Sequence, residues 1–319
     1  MHFDDYSGLD DLLADLKELE NCSICPRNCK ANRFSLKKGF CNSDAGFNIA
    51  SVCLHRGEEP FISGRNGICN VFFSRCNMQC SYCQNYQISR NDILADSYLY
   101  ELREVLSRII EILNSGVDAL GFVSPSHFLP QVKIIIRALR QLGKNPIIVY
   151  NTNGYDTVAS IRQMEGLADV YLPDFKYMDD QLAELYSASP RYSEFASNAI
   201  AEMYRQKGST LLTNGNNYAE SGLIIRHLVL PGHVENSLAV LRKIAEDISV
   251  NVHISLMSQY HPNMLVKDHP TLGQLVSIKE YTMVTQEMEK LGFTKGWIQE
   301  LQSSGFYRPD FANLNPFGD

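Results

Sequence analysis

A chain of 319 residues with 45% hydrophobic positions has enough apolar side chains for one α/β domain, or for one such domain with a small appendage. Its 29 basic and 36 acidic residues give a net charge of −7, which excludes the basic footprint of a nucleic-acid binder. Apolar runs such as Ile134-Ile135-Ile136 are too short to cross a bilayer, and the acidic start Met1-His2-Phe3-Asp4-Asp5 lacks a signal-peptide layout; a cytoplasmic protein that engages neither membrane nor nucleic acid is expected.

Taken in chain order, Leu9, Leu12, Leu13, Leu16 and Leu19 predict a helix over 8–20. Residues 21–48 are rich in Cys, Asn and Lys and have little periodicity. All nine cysteines lie between Cys22 and Cys83, and an odd number clustered at short spacings argues for metal rather than disulfides. Cys22, Cys25, Cys29 and Cys41 form one set. Four thiolates within twenty residues suit a tetrahedral zinc site or a second iron–sulfur cluster, and spacing does not separate the two. A module with so little apolar core would draw its folding energy from the metal. Cys53 and Cys69 belong to no set and are expected to be buried, or one of them to donate a hydrogen atom.

From residue 68 the pattern alternates. Strands are predicted at 68–74, 119–123, 146–151, 169–174, 223–230 and 252–257. Helices are predicted near 100–114, 129–142, 157–166, 180–187, 196–206 and 235–247, with a further one at 277–291. Six β/α units imply a parallel sheet, too few strands for a closed eight-stranded barrel, and an active site at the carboxyl ends of the strands. The expected fold is a partial (β/α)6 barrel. Expected boundaries are 1–67 for the N-terminal helix and four-Cys module, 68–260 for the barrel and 261–319 for a C-terminal extension.

The first barrel strand runs into Ser74-Arg75-Cys76-Asn77-Met78-Gln79-Cys80-Ser81-Tyr82-Cys83, a C-x3-C-x2-C loop. Three thiolates can hold three irons of a cubane and leave the fourth open, and open coordination positions are where metal centres react. A zinc knuckle would need a fourth ligand that the loop lacks. This loop resembles the signature of radical S-adenosylmethionine (SAM) enzymes. With Asn70-Val71-Phe72-Phe73 before it and His55-Arg56-Gly57-Glu58-Glu59-Pro60-Phe61-Ile62-Ser63-Gly64 further upstream, it resembles the pyruvate formate-lyase activating enzymes and their uncharacterised homologues.

The resemblance implies a [4Fe–4S] cluster on Cys76, Cys80 and Cys83, with SAM on the open iron and Tyr82 beside the adenine. It also implies reductive cleavage to a 5′-deoxyadenosyl radical, with the electron drawn from a flavodoxin or ferredoxin. Asp174-Phe175-Lys176 places an acid and a base on one face of a strand end and resembles a SAM-contacting pair; an ordinary surface ion pair is the alternative. Asn151 and Asn153 lie in a turn similar to the family's Thr-Asn-Gly. Ser124-Pro125-Ser126-His127 stands where most relatives carry Gly-Gly-Glu, a departure that leaves carbonyls of Ser124 or Pro125 to meet the SAM amine. His127 is either a proton carrier or a helix-start residue. His261, in Gln259-Tyr260-His261-Pro262, matches a histidine that reaches the SAM carboxylate. Arg226 either points into the barrel or pairs with an acid. The implied activity is hydrogen abstraction, from a glycyl radical enzyme partner or from a small molecule or peptide, as in an epimerase or dehydratase. A non-enzymatic iron–sulfur or zinc carrier would not need the strand-end motifs.

Overall fold

The structure, a computed structural model, describes residues 9–93, 101–215, 218–301, 308–313 and 315–318. Gly8 and Tyr100, which open two of the expected helices, lie outside the described residues. Among the described residues nine strands occur: β1 (Ile49–His55), β2 (Ile68–Phe73), β3 (Ala119–Val123), β4 (Ile147–Thr152), β5 (Val170–Pro173), β6 (Leu212–Thr213), β7 (Ala219–Leu228), β8 (His253–Met257) and β9 (Gly296–Ile298). They follow the order β1-β2-β3-β4-β5-β7-β8-β9, with β6 antiparallel on β7. Strands β2 to β9 along this path are parallel, and β1 is antiparallel to β2. Since β1 and β9 are the ends of the path, the sheet is a partial α/β barrel. The six expected strands are its β2, β3, β4, β5, β7 and β8. Among the described residues no helix is long and apolar enough to cross a membrane.

Two departures from the sequence reading have physical causes. The helix expected over 8–20 is one α-turn, Leu9–Leu12, followed by a 3-10 stretch, Leu13–Asn21. Leu13, Leu16 and Leu19 recur every third residue, the repeat of a 3-10 helix, and Leu19 is fully buried. β1 was not expected at all; its burial follows no clean alternation, because its apolar residues serve both faces of an edge strand.

Residues of successive strands alternate between two cores. Leu120, Tyr150, Tyr171 and Ile225 face outward into the layer shared with the helices. The helix Leu129–Gln141 is buried on most of its surface, so all three of Ile134, Ile135 and Ile136 contribute, at about 1.5–3 kcal/mol each. Ile68, Ala119, Val149, Val170 and Ile224 face inward and form an apolar plug. Two residues further along the strands, the inward positions become polar: Ile68 gives way to Asn70, Val149 to Asn151, Leu172 to Asp174 and Ile224 to Arg226. Gly121 makes room for that polar layer. A Cβ there would lie 2.1 Å from the Asn70 side-chain oxygen. The plug therefore closes the amino end of the barrel and leaves chemistry to the carboxyl end.

Candidate functional site

The three-cysteine loop leaves β2 with Arg75 in the left-handed region, φ 62°, and is then tied down on several sides. The Arg75 amide donates to the Ile88 carbonyl at 2.6 Å, the Gln79 amide to Ser187 at 3.0 Å and the Ser81 amide to Tyr186 at 2.8 Å. Each sulfur has a donor of its own. Asn153 Nδ2 and the Met78 amide approach Cys76 Sγ at 3.4 Å, Ser187 Oγ approaches Cys80 Sγ at 3.0 Å, and Ser89 Oγ approaches Cys83 Sγ at 3.3 Å. Burial pushes the Cys76 thiol up to about 12 and the Cys80 thiol up to about 11, with Lys176 opposing the shift at Cys80. Such thiols keep their protons until a metal displaces them.

All three cysteines line one cleft of about 950 Å³ at the carboxyl ends of the strands. Among the described residues no three His, Cys, Asp or Glu side chains converge tightly enough to share a single metal ion. A cubane makes a different demand. Each of its irons takes one thiolate, so the sulfurs need only face a common space.

Opposite the sulfurs stands a buried charged network. Asp174 accepts from Lys176 Nζ at 2.5 Å and from Arg226 Nε at 2.8 Å, and Arg226 Nη2 donates to Asn151 Oδ1 at 2.8 Å. Arg226 Nη1 lies 3.6 Å from Glu58 and 4.0 Å from Glu59. Burial alone would raise the Asp174 carboxyl, but Arg226 and then Lys176 outweigh it and hold the group below the usual carboxylate range. Gly154, φ 80°, sits in the turn beside this network. A Cβ there would meet the Asp174 carbonyl at 2.2 Å.

Of the SAM contacts expected from sequence, Tyr82, Ser124, Asn151, Asn153, Asp174 and Lys176 all line the cleft. Tyr82 is buried, with its hydroxyl 2.5 Å from that of Tyr177. Both alternatives for Arg226 hold: it points inward and pairs with acids. Three of the expected residues lie apart from the cleft. Pro125 does not line the cleft, because it opens a 3-10 turn in which its carbonyl accepts from the Phe128 amide at 2.7 Å. His261 does not line it either; after β8 the cleft is reached by Met257 and Gln259, and His261 falls in the loop beyond. His127 is on the other side of the loop. Its Nε2 lies 3.2 Å from the Ser74 carbonyl, and burial pushes it down to about 3, so it is no proton carrier near neutrality.

His127 instead borders a small second space lined by Cys22, Cys25, Cys29 and Cys41. The four cysteines are thus brought together, although no three of them are placed for one ion. Burial raises the Cys22 thiol and the adjacent Arg33 guanidinium counters it. Arg33, only 1% exposed, donates to the carbonyls of Asp44 and His127. Arg27 donates to the Asn77 carbonyl at 2.8 Å, inside the three-cysteine loop, and also to the Ala188 carbonyl. Cys53 and Cys69 are both buried, as expected.

Sequence reasoning missed Ser89 and Ser187 as sulfur partners, since nothing in their local sequence marks them. It also left the role of Glu58 and Glu59 open, although both lie in a quoted motif.

Residues 70–241 match the Radical SAM superfamily. An uncharacterised protein of Methanocaldococcus jannaschii is 28% identical over 278 residues, covering 85% of this chain and 75% of its own. Among solved structures, a domain of pyruvate-formate lyase-activating enzyme from Bacteroides vulgatus has a TM-score of 0.40 at 15% identity, covering 54% of this chain and 93% of its own. The FeFe-hydrogenase maturase HydG of Carboxydothermus hydrogenoformans has a TM-score of 0.45 at 13% identity, covering 97% and 69%.

Proposed function

The chain belongs to the radical SAM superfamily, and from that premise we propose that Cys76, Cys80 and Cys83 hold its [4Fe–4S] cluster, with SAM lying across the same cleft. Membership implies SAM-cleaving radical chemistry by an enzyme, with the cluster, SAM and a reductant as its requirements. The single observation that carries the residue assignment is that three thiols on one strand-end loop share a cleft with the Asp174–Lys176 pair. When bound, cluster and SAM supply a one-electron reductive cleavage that yields a 5′-deoxyadenosyl radical.

The chain's own residues bind, orient and shield. Lys176, buried and fixed by Asp174, offers a compact cation to the methionine carboxylate. Asn151, held through Arg226, and the Ser124 carbonyl are the acceptors proposed for the amine. Tyr82 walls the adenine end. Ser89, Ser187 and Asn153 donate to the sulfurs and lower the cost of charge there. A flavodoxin or ferredoxin is the proposed electron donor and the cytoplasm the proposed compartment. Cys22, Cys25, Cys29 and Cys41 are proposed to hold a second centre, which packs against the back of the first through Arg27 and His127. That no three of the four sulfurs are placed for one ion supports a cluster over a single zinc ion.

Activation of a glycyl radical enzyme and turnover of a small molecule differ in what must enter the barrel mouth. The chamber described below supports the second.

Anaerobically reconstituted protein should carry a [4Fe–4S]+ EPR signal that changes on addition of SAM, and should release 5′-deoxyadenosine with dithionite. Replacing Cys76, Cys80 and Cys83 together by Ala should remove both. Survival of the SAM-sensitive signal in that variant refutes the assignment.

A further inference from the structure

Beside the cleft assigned to SAM lies a second, partly open chamber. The two share Asn151 and Arg226 as part of their walls. His55, Glu58 and Glu59 line the second chamber and not the first, and all three come from the segment His55–Gly64 that the proposed SAM chemistry leaves unused. We propose that this chamber is the substrate subsite, and that it takes a small molecule anchored by an ammonium group next to a short apolar stem. The inference rests on SAM occupying the neighbouring cleft.

Charge is the first argument. Glu58, Glu59 and Asp174 are three carboxylates around Arg226, and Lys176 is the other cation of the network. Both cations bond to Asp174, and Lys176 leans toward Cys80 and Cys83. The Glu pair is left with one guanidinium at 3.6 and 4.0 Å, beyond hydrogen-bond reach. Burial, opposed by Arg226, raises the Glu59 carboxyl to about 7, so the pair is short of compensating positive charge. A buried carboxylate needs a cation or a proton to offset lost hydration.

Unused hydrogen-bonding capacity is the second. Glu59 Oε2 and His55 Nδ1 are buried with no partner. The Glu59 side chain is 8% exposed and His55 7%. Glu58 already accepts from Asn70 Nδ2 at 2.9 Å, which fixes its carboxylate in the chamber wall. Burial pushes His55 down to about 4, so at neutral pH it is an uncharged ring and does not serve as the missing cation. An ammonium supplies both what the ledger lacks, a positive charge and N–H donors in several directions.

The remaining wall is mixed, with Gln84, Asn85 and Gln259 beside one apolar flank. Phe72 and Val123 line it, and Phe317 from the C-terminal segment closes one side, its ring 3.8 Å from that of His55 and 5.7 Å from that of Phe72. An aliphatic stem fits there, and it would extend toward the residues shared with the SAM cleft.

The test uses anaerobically reconstituted full-length protein saturated with SAM, probed by thermal shift and calorimetry with n-butylamine, butanoate and butanol. Butylamine should bind at millimolar concentration and raise the melting temperature, while butanoate and butanol should not. Glu59→Gln should weaken butylamine at least tenfold, with iron content unchanged and SAM affinity within about threefold, which also verifies folding. Phe317→Ala should weaken butylamine without affecting methylammonium, which lacks the stem. The proposal is overturned if neither amine binds, if butanoate binds as well, if Glu59→Gln binds butylamine normally, or if butylamine competes with SAM. If the wild-type protein fails to bind SAM at all, the cleft assignment falls first and the subsite with it.

Discussion

Arg226 ties together the polar layer inside the barrel. Its guanidinium meets Asp174 at 2.8 Å, Asn151 at 2.8 Å and Glu58 at 3.6 Å. At an effective dielectric of about 20, the first of these carboxylate contacts is worth roughly 6 kcal/mol of Coulomb attraction and the last roughly 5 kcal/mol. Most of that offsets the cost of taking the charges out of water, so removing one partner of such a buried pair typically costs about 3–5 kcal/mol. Arg226→Met keeps the volume and deletes the charge. It leaves Asp174 to Lys176 alone and strips Glu58 and Glu59 of their cation. Urea unfolding of the reconstituted protein, followed by far-UV circular dichroism at pH 7, should show a loss of about 3–5 kcal/mol. At pH 5 the loss should be smaller. The stranded buried carboxyls have raised folded-state pKa values and take up protons there, while the unfolded chain's carboxyls are still ionised, so the variant gains stability as pH falls. In the wild type Asp174 titrates below its usual range and is unaffected at pH 5, while Glu59, which burial already raises to about 7, takes up its proton in both proteins, so the narrowing comes from the carboxyls that lose their cation. A loss below about 1 kcal/mol at pH 7, or a gap that does not narrow at pH 5, would falsify the picture of a carboxylate cluster held by one arginine.

Three further outcomes are expected. Lys176→Ala should weaken SAM binding by about 1–3 kcal/mol, read by calorimetry, with iron content intact because no sulfur ligand is touched; unchanged affinity would mean that Lys176 serves only Asp174. Converting Cys22, Cys25, Cys29 and Cys41 to Ala should remove roughly half of the bound iron while the SAM-sensitive EPR signal persists, whereas a stoichiometric zinc content in the wild type would show that the module holds an ion rather than a cluster. Stability should also fall below pH 6.5. His227 is buried neutral between the Phe175 carbonyl at 2.7 Å and Ser237 at 2.9 Å, and burial pushes it down to about 4. Between pH 6.5 and 4 the unfolded chain binds the proton that the folded chain refuses, so at pH 5 this residue alone costs about 2 kcal/mol. His227→Gln should flatten that slope, and an unaltered slope would assign the acid lability elsewhere.

The strand-helix alternation was legible because each unit carries its own period, and β2 to β5, β7 and β8 follow it. What sequence could not supply was direction perpendicular to the chain. Asp174 and Lys176 are two residues apart and share a face by strand geometry alone. Arg226, fifty-two residues from Asp174, reaches it only because β5 and β7 are neighbours in the sheet. His127 follows a strand end as a site residue would, yet the left-handed Ser124, φ 50°, and the turn after it send the ring behind the loop toward the four-cysteine space. Ser89 and Ser187 carry no motif, and their proximity to sulfur exists only once the loop has folded back on them.

The antiparallel strand β1 has a consequence for how the protein is made. Without it β2 would be an open edge, and the cysteine loop would hang from a strand paired on one side only. With six registered positions from Ile49 to His55 set against β2, and β3 on its other flank, the loop's anchor is held from both sides by backbone bonds that involve no iron. Delivery of the proposed cluster to Cys76, Cys80 and Cys83 would then be a docking event on a finished scaffold. The four-cysteine module has almost no regular structure of its own and would have to organise itself around the centre proposed for it. Within one polypeptide, the proposed maturation would divide into a berth that waits and a wrapper that forms on contact.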